Sequence, residues 1–293
     1  MRSHRGRFQF HRNVFIICGL VPVMVYFFIF SVYPVVSAFW ISLHDWPLLG
    51  QERPFIGLGN YSWSVRDPVF WISLKNTLYY AIGYIAFSTI FGLMLALFVN
   101  SLREPIKTGM RAIIFIPVIT STVAVALMFV WLYQPAYGVL NYLLGLVGLG
   151  PYQWVNSPTQ VMPSIILMSV WKNVGYAMVI FLAGLTTIPS ELYEAARVDG
   201  SSGFNSFRHI TLPLLQPTTL FILVTGMIGA FQVFTQVYVM SGGGPGTASR
   251  SIVLHIYDYG FRFFEMGKAS ALAFIQFLII LGITIVQMKY FQE

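Results

Sequence analysis

Charged side chains divide this chain into long windows that contain no Asp, Glu, Lys or Arg. The windows cover 13–44, 76–102, 112–171, 173–190, 209–249 and 269–288, with lengths of 32, 27, 60, 18, 41 and 20 residues. A membrane-spanning helix needs about 20 mostly apolar residues to cross about 30 Å of hydrocarbon. The 60-residue window holds two spans, because turn-rich clusters divide it. Gln134-Pro135-Ala136-Tyr137-Gly138 opens the dividing loop and Trp154-Val155-Asn156-Ser157-Pro158 closes it. The pattern predicts six helices, at about 14–40, 76–101, 112–133, 161–187, 216–240 and 269–289. Continuous apolar runs without a period of two disfavour a strand barrel.

Composition agrees. Hydrophobic residues make up 57% and charged residues 9%, where a soluble domain carries about 25% charge. The mean hydropathy is +0.72. A soluble single-core enzyme and a disordered chain are both excluded. Cys18 is the single cysteine, which excludes a disulfide scaffold. The expected class is an all-α polytopic membrane protein.

Arg2, Arg5, Arg7 and Arg12 form a basic tail before the first window. The apolar run that follows far exceeds the 7–15 residues of a signal-peptide core, so a retained first helix is expected. Residues 1–13 are then a tail and 14–293 a transmembrane domain. With both termini inside, the inner segments carry ten cations against five anions, a net +5, and the outer segments a net +1; Lys172 completes the total of +7. This asymmetry puts the termini in the cytoplasm. It also accounts for the basic pI without nucleic acid as a partner, since no clustered basic face is present.

Energy-coupling chemistry is missing from the sequence. Gly267-Lys268-Ala269 lacks the upstream glycine and the hydroxyl residue of a phosphate-binding loop. No carboxylate falls within a predicted span, which argues against an ion-coupled carrier. His4, His11, His44, His209 and His255 show no metal-ligand spacing, and Cys18 has no nearby base. No catalytic residue, metal site or cofactor of its own is expected.

One inner segment, 188–213, has a distinct pattern. It predicts a helix, a turn and a second helix. Ser190 is a candidate N-cap and Glu191 suits the positive helix end. Asp199-Gly200 stops the helix, with Gly200 in the left-handed position. Ser201 or Ser202 caps the second helix, and Pro213 resets the chain before the fifth span. Leu192, Ala195 and Ala196 share one face, flat enough for another protein's groove, with Glu194 and Arg197 beside it. By physics alone, a docking helix and a membrane-surface connector stand level.

The run Glu194-Ala195-Ala196, Asp199-Gly200, then Ile210, Leu212-Pro213 and Pro217 resembles the EAA loop of bacterial ABC importer permeases. Ser201 departs mildly from the alanine frequent there. The likeness extends along nearly the whole chain. Gly57-Leu58-Gly59-Asn60-Tyr61, Asn76-Thr77, Arg111 with Pro117, and Gly138 with Asn141 look like carbohydrate permeases of the maltose and glycerol-3-phosphate type. So do Gly242-Gly243-Gly244-Pro245, Tyr257, Phe261, Gly267 and Ala269-Ser270-Ala271. The resemblance implies a type I importer permease fold in the bacterial inner membrane. It implies a second, different permease, an ABC ATPase dimer that binds the ATP and magnesium, and an extracytoplasmic solute-binding protein. Glu194, Ala195, Ala196, Arg197, Asp199 and Gly200 would then form the coupling helix that docks into the ATPase.

A sugar or polyol path through lipid-buried helices needs uncharged hydrogen-bonding groups and rings. The candidates are Asn173, Gln232, Gln236 and Gln276, with Trp171, Tyr176 and Tyr238 for stacking. Gln232 and Gln236, four apart, are expected on one helix face. Taken one by one, these residues read more readily as bridges between helices than as pathway groups. Lys172 is a costly charge inside a span, a candidate for the pathway or for a structural pair. Gly243, Gly244 and Pro245 are candidates for a gate or a binding-protein contact, and equally for a plain turn. The alternative to an importer subunit is a self-sufficient carrier or channel.

Overall fold

The computed structural model describes residues 16–50 and 52–290. The expected tail 1–13 and the first two residues of the first span lie outside the described residues. Among the described residues the main helices are, in order, α1 (Ile16–Ser42), α2 (Gly59–Arg66), α3 (Pro68–Ser101), α4 (Ile106–Ile119), α5 (Thr122–Leu132), α6 (Val139–Gly145) and α7 (Val161–Thr186), then α8 (Ser190–Val198), α9 (Gly203–Leu214), α10 (Gln216–Phe231), α11 (Thr235–Met240), α12 (Ile252–Tyr257) and α13 (Met266–Tyr290). Among the described residues there is no β-strand, only the bridges His44–Phe55 and Pro47–Glu265.

Helices α1, α3, α7 and α13 are long and apolar enough to cross a membrane unbroken. The other two spans are bent. Between α4 and α5 the chain turns by 93°, and between α9 and α10 by 60°. The expected continuous helix at 112–133 is therefore two helices. Pro117 has no amide proton to donate within the last turn of α4, and Thr120 follows with an extended ψ of 146°. The expected helix at 216–240 is likewise broken, at Gln232–Phe234, between α10 and α11.

The second span starts eight residues before the charge-free window. Asp67 caps it, its Oδ1 accepting the Val69 amide at 2.9 Å, and Pro68 takes the first helical position. Counting charges placed the start after Lys75, whereas the cap chemistry lies ahead of it. Ser190 is not a cap: Pro189 occupies that position without a side-chain bond, and Ser190 is the first helical residue.

The chain divides into two units, one of residues 16–66 with Asp258–Phe274, the other of Asp67–Tyr257 with residues 275–290. In the first, buried Asn60 donates through Nδ2 to the carbonyls of Ser42 and His44, both at 2.8 Å. Gly267 faces the same strap, where a β-carbon would come within 2.3 Å of the His44 carbonyl. The Asn60 and Gly267 positions thus close one loop junction.

In the second unit α3 packs along α7. Gly92 lets them approach, since a β-carbon there would lie 2.6 Å from the Ala177 Cβ. Helix α4 crosses α7 at Gly175, where a β-carbon would meet the Ile114 carbonyl at 2.4 Å. Helix α10 packs on α3, and α5 packs on α11. Tyr80, Ala81 and Ile85 of α3 share one core with Val125 and Phe129 of α5, Ile165 of α7 and Val237 of α11.

Candidate functional site

A cavity of about 300 Å³ lies within the second unit, between α3, α7, α10 and α11. Each long helix contributes one stripe. Helix α3 offers Tyr80, Tyr84, Ile85, Ser88 and Thr89; α7 offers Asn173, Tyr176 and Ala177; α10 offers Ile222, Thr225, Gly226 and Gly229; α11 offers Gln236. The spacings of three and four place each set on one helical face. Tyr80 and Tyr84 stand parallel, ring centroids 5.7 Å apart and 3° between planes. The Thr89 hydroxyl is buried without a hydrogen-bond partner. None of the lining residues is ionisable near neutral pH. The arrangement offers flat aromatic surface with amide and hydroxyl groups around it, and the two glycines widen the α10 wall.

Of the sequence candidates, the cavity brings together Asn173, Tyr176 and Gln236. The others lie outside its lining. Trp171 lines an outward apolar groove with Phe91, Phe98 and Leu167, and its ring lies 5.3 Å from that of Phe129. Tyr238 stacks on Phe234 at 5.2 Å and meets Tyr257 edge-on. Gln232 caps the end of α10 and is exposed, so the break removes it from the face of Gln236. Lys172 is buried, and its Nζ donates to the Val118 carbonyl at 3.2 Å. Gln276 is buried, and its Nε2 donates to the Phe231 carbonyl at 2.8 Å. Sequence reasoning missed Tyr80, Tyr84, Ser88, Thr89 and Thr225. Their signal was available: Tyr80, Tyr84 and Ser88 recur every four residues as a polar stripe on an apolar helix.

The segment 188–213 forms α8 and α9. Helix α8 is closed by Gly200 at φ +74°, with the Ser201 amide bonded to the Ala196 carbonyl and the Gly200 amide to the Arg197 carbonyl. Ser202 caps α9, accepting the Asn205 amide at 3.3 Å. The Tyr193 hydroxyl joins the Thr211 hydroxyl at 2.9 Å and ties α8 to α9. Glu194, Ala195, Arg197, Asp199 and Gly200 stay exposed, and Ala196 is half-buried. Leu192 is 42% exposed and Val198 87%, so an apolar face of α8 stands free of its own chain. Arg197 turns to its own backbone, Nε donating to the Tyr193 carbonyl at 3.4 Å.

The glycine loop is held from within the second unit. Gly242, Gly243 and Gly246 have positive φ, and a β-carbon on Gly243 would meet Leu254 at 2.7 Å. Ser249 Oγ donates to the Gly244 carbonyl, next to Pro245. Asn76 Nδ2 donates to the carbonyls of Thr247 and Arg250 at 2.8 and 3.2 Å, and Thr77 Oγ1 accepts the Ile252 amide at 2.9 Å. Beside it, His255 Nε2 bonds Asp67 Oδ2 at 2.9 Å.

An all-helical chain with long apolar helices, two bent helix pairs, an uncharged polar cavity and an exposed short helix, α8, is, in architecture, a solute permease. The chain belongs to the family of binding-protein-dependent transport system inner membrane components, which matches residues 88–291. It is 36% identical over 270 residues to the trehalose/maltose transport system permease protein MalF of Thermococcus litoralis, covering 92% of this chain and 91% of that one. It is 32% identical over 270 residues to the arabinooligosaccharides transport system permease protein AraP of Bacillus subtilis, covering 92% and 85%. Its fold is similar to that of a bacterial alginate ABC transporter solved in complex with an alginate pentasaccharide-bound periplasmic protein. That match has a TM-score of 0.84 and 24% identity, over 95% of this chain and 94% of the other. The chain is thus a multi-pass inner-membrane permease subunit of an ABC importer, with four unbroken candidate spans among the described residues and six if each bent pair counts as one. It is not an enzyme; a separate ATPase subunit hydrolyses the ATP.

Proposed function

We propose that this permease forms half of an import pathway for a neutral saccharide or polyol, and that the cavity between α3, α7, α10 and α11 is where the solute passes. The lining carries the proposal. The C–H face of a sugar ring lies well on tyrosine surface, while its hydroxyls pair with amides and hydroxyls that need no ionisation. The cavity has both kinds of group and no ionisable one to favour an anionic or cationic solute. The trehalose/maltose and arabinooligosaccharide relatives point to the same class of solute.

The other partners follow from the same reading. A second, different permease completes the pathway. A solute-binding protein delivers substrate to the outer face, where Gly243, Gly244 and Pro245 serve as gate or contact. An ATPase dimer binding ATP and magnesium receives α8 through Glu194, Ala195, Ala196, Arg197, Asp199 and Gly200, with both chain termini on that cytoplasmic side. The free apolar face of α8 supports such docking.

The test is reconstitution of the complete importer in proteoliposomes, with radiolabelled maltose, trehalose, an arabinooligosaccharide and an anionic uronate oligosaccharide as probes. ATP-dependent uptake of a neutral probe is expected. Tyr84→Ala and Asn173→Leu should each raise its half-saturating concentration about three- to tenfold, the worth of one stacking or hydrogen-bonding contact. Uptake without ATP, preference for the uronate, or unchanged half-saturation in both variants would overturn the proposal.

A further inference from the structure

At the 93° bend of the third span, between α4 and α5, and at the interruption Gln232–Phe234 between α10 and α11, which lies beyond the 60° bend of the fifth, a polar side chain from an unbroken helix reaches a carbonyl at the helix end. At the end of α4, Thr120 turns back on its own helix, its hydroxyl to the Ile116 carbonyl at 3.0 Å and its amide to the Pro117 carbonyl at 3.3 Å. The Val118 carbonyl receives Lys172 Nζ from α7. At the end of α10, the Phe231 carbonyl receives Gln276 Nε2 from α13, and the Val233 carbonyl receives the Ser251 hydroxyl at 2.9 Å. Lys172 is 5% exposed and Gln276 7%. A helix that stops inside an apolar layer leaves carbonyls with no water to bond, so outside donors must supply the missing bonds. A basic group also suits the negative end of α4. Beyond the two breaks lie α5 and α11, which pack on each other, and α11 brings Gln236 to the cavity.

We propose that Lys172 and Gln276 are hinge pins: positioning residues that hold the third and fifth spans at their breaks, so that α5 and α11 swing as one body and carry Gln236 with them. A single hydrogen bond at a break fixes the position of the chain but leaves it free to rotate, as a pivot requires. The proposal rests on the cavity being the solute pathway, and it assigns the geometry of that pathway to two side chains that do not line it. The long, flexible stem of Lys172 can follow a moving carbonyl. The shorter Gln276 fixes its break more tightly.

Lys172→Met and Gln276→Met remove the donors at similar volume and keep good helix formers in place. The experiment measures amide hydrogen exchange over residues 118–124 and 231–237 in the complete importer in nanodiscs, together with ATP-driven uptake of radiolabelled maltose. Each Met variant should speed exchange at least threefold at its own break and also at the other, because α5 and α11 move together. Uptake at saturating maltose should fall about tenfold, with half-saturation within twofold of the parent. Lys172→Arg, which keeps a charged donor of similar reach, should restore both. Wild-type exchange and uptake in an assembled Lys172→Met importer would overturn the proposal, and so would faster exchange confined to one break. If a Met variant fails to assemble, Lys172→Arg is compared with Lys172→Gln, whose donor is too short to reach Val118. Equal exchange in those two overturns the pin. If maltose is not imported, or Tyr84→Ala leaves half-saturation unchanged, the cavity reading fails, while the exchange comparison still decides the pins.

Discussion

The Ser201 amide donates to the carbonyl of Ala196 at 2.8 Å, and that bond exists because Gly200 between them holds φ at +74°. A β-carbon on Gly200 would meet nothing within 4 Å, so the requirement is for backbone conformation and not for space. Gly200→Ala should therefore cost about 1–2 kcal/mol at the end of α8, and Gly200→Asn less, since asparagine visits the left-handed region more readily. Amide exchange across 195–202 in the purified complex reads the effect directly. Retention of the ATPase on the complex should fall in the same order.

The close approaches of α7 differ in kind from an open helical glycine, and substitution separates them. A β-carbon on Gly175 would meet a backbone oxygen, that of Ile114, which cannot rotate away. Gly175→Ala should lower stability by about 1–3 kcal/mol, and Gly92→Ala, facing Ala177, by a comparable amount. Gly109, inside α4 with nothing within 4 Å, should gain about 0.5–1 kcal/mol when changed to Ala. Tryptophan-monitored thermal unfolding in one detergent ranks the three. A stabilising Gly175→Ala would contradict the helix crossing described.

Local signals that depend on a few adjacent residues were legible in the sequence. The Asp199-Gly200 stop and the Ser202 cap follow from near-neighbour chemistry, and both are present as expected. The apolar windows located the four unbroken spans and part of each bent pair, because membrane thickness sets the length of a span. Counting charges does not reveal where a helix breaks. A break is stable only if a distant group satisfies its carbonyls, and Lys172 lies 54 residues from Val118 while Gln276 lies 45 from Phe231. Lys172 stood out in the sequence as a costly charge, but its partner is a backbone carbonyl and carries no sequence signal. The same limit hid half of the cavity. Tyr80, Tyr84 and Ser88 form a polar stripe that the spacing alone shows, but nothing in the spacing says that α10 and α11 lie opposite it. Gln232 and Gln236 looked like one face only as long as the helix was assumed to continue.

Asp67 performs two tasks with two oxygens, and graded substitution should resolve them. Oδ1 caps α3 by accepting the Val69 amide, and Oδ2 holds His255, whose other ring nitrogen lies 3.4 Å from Arg250 Nε. Arg250 can only donate, so His255 Nδ1 accepts and Nε2 carries the proton to Asp67. Asp67→Asn keeps one acceptor and should lose about 1–2 kcal/mol. Asp67→Ala loses both the cap and the partner of a buried imidazole, and should lose roughly 2–4 kcal/mol. His255→Ala removes the second bond together with the acceptor for Arg250 Nε and a buried ring, and should lose more than Asp67→Asn. Unfolding of the three variants in parallel tests the order, and equal losses for Asn and Ala would show that only one of the two bonds matters.

Asn76 allows a sharper test, because its partners share one polarity. Its Nδ2 donates to two carbonyls, of Thr247 at 2.8 Å and of Arg250 at 3.2 Å, and so holds the far end of the glycine loop against α3. Asn76→Ala removes both bonds and leaves two carbonyls partly buried, at a cost of about 1–3 kcal/mol. Asn76→Asp has nearly the same shape, but sets a carboxylate oxygen against those carbonyls. Repulsion then adds to the lost bonds, so the isosteric change should be the more damaging of the two. Limited proteolysis between Ser241 and Ser251 measures the release of the loop. Cleavage should be slow in the parent, faster in Asn76→Ala and fastest in Asn76→Asp, and Thr77→Val, which removes the oxygen that accepts the Ile252 amide, should fall near Asn76→Ala. If Asn76→Asp holds the loop as well as the parent does, then backbone contacts inside the loop hold it, and Asn76 has no part in anchoring it to the second span.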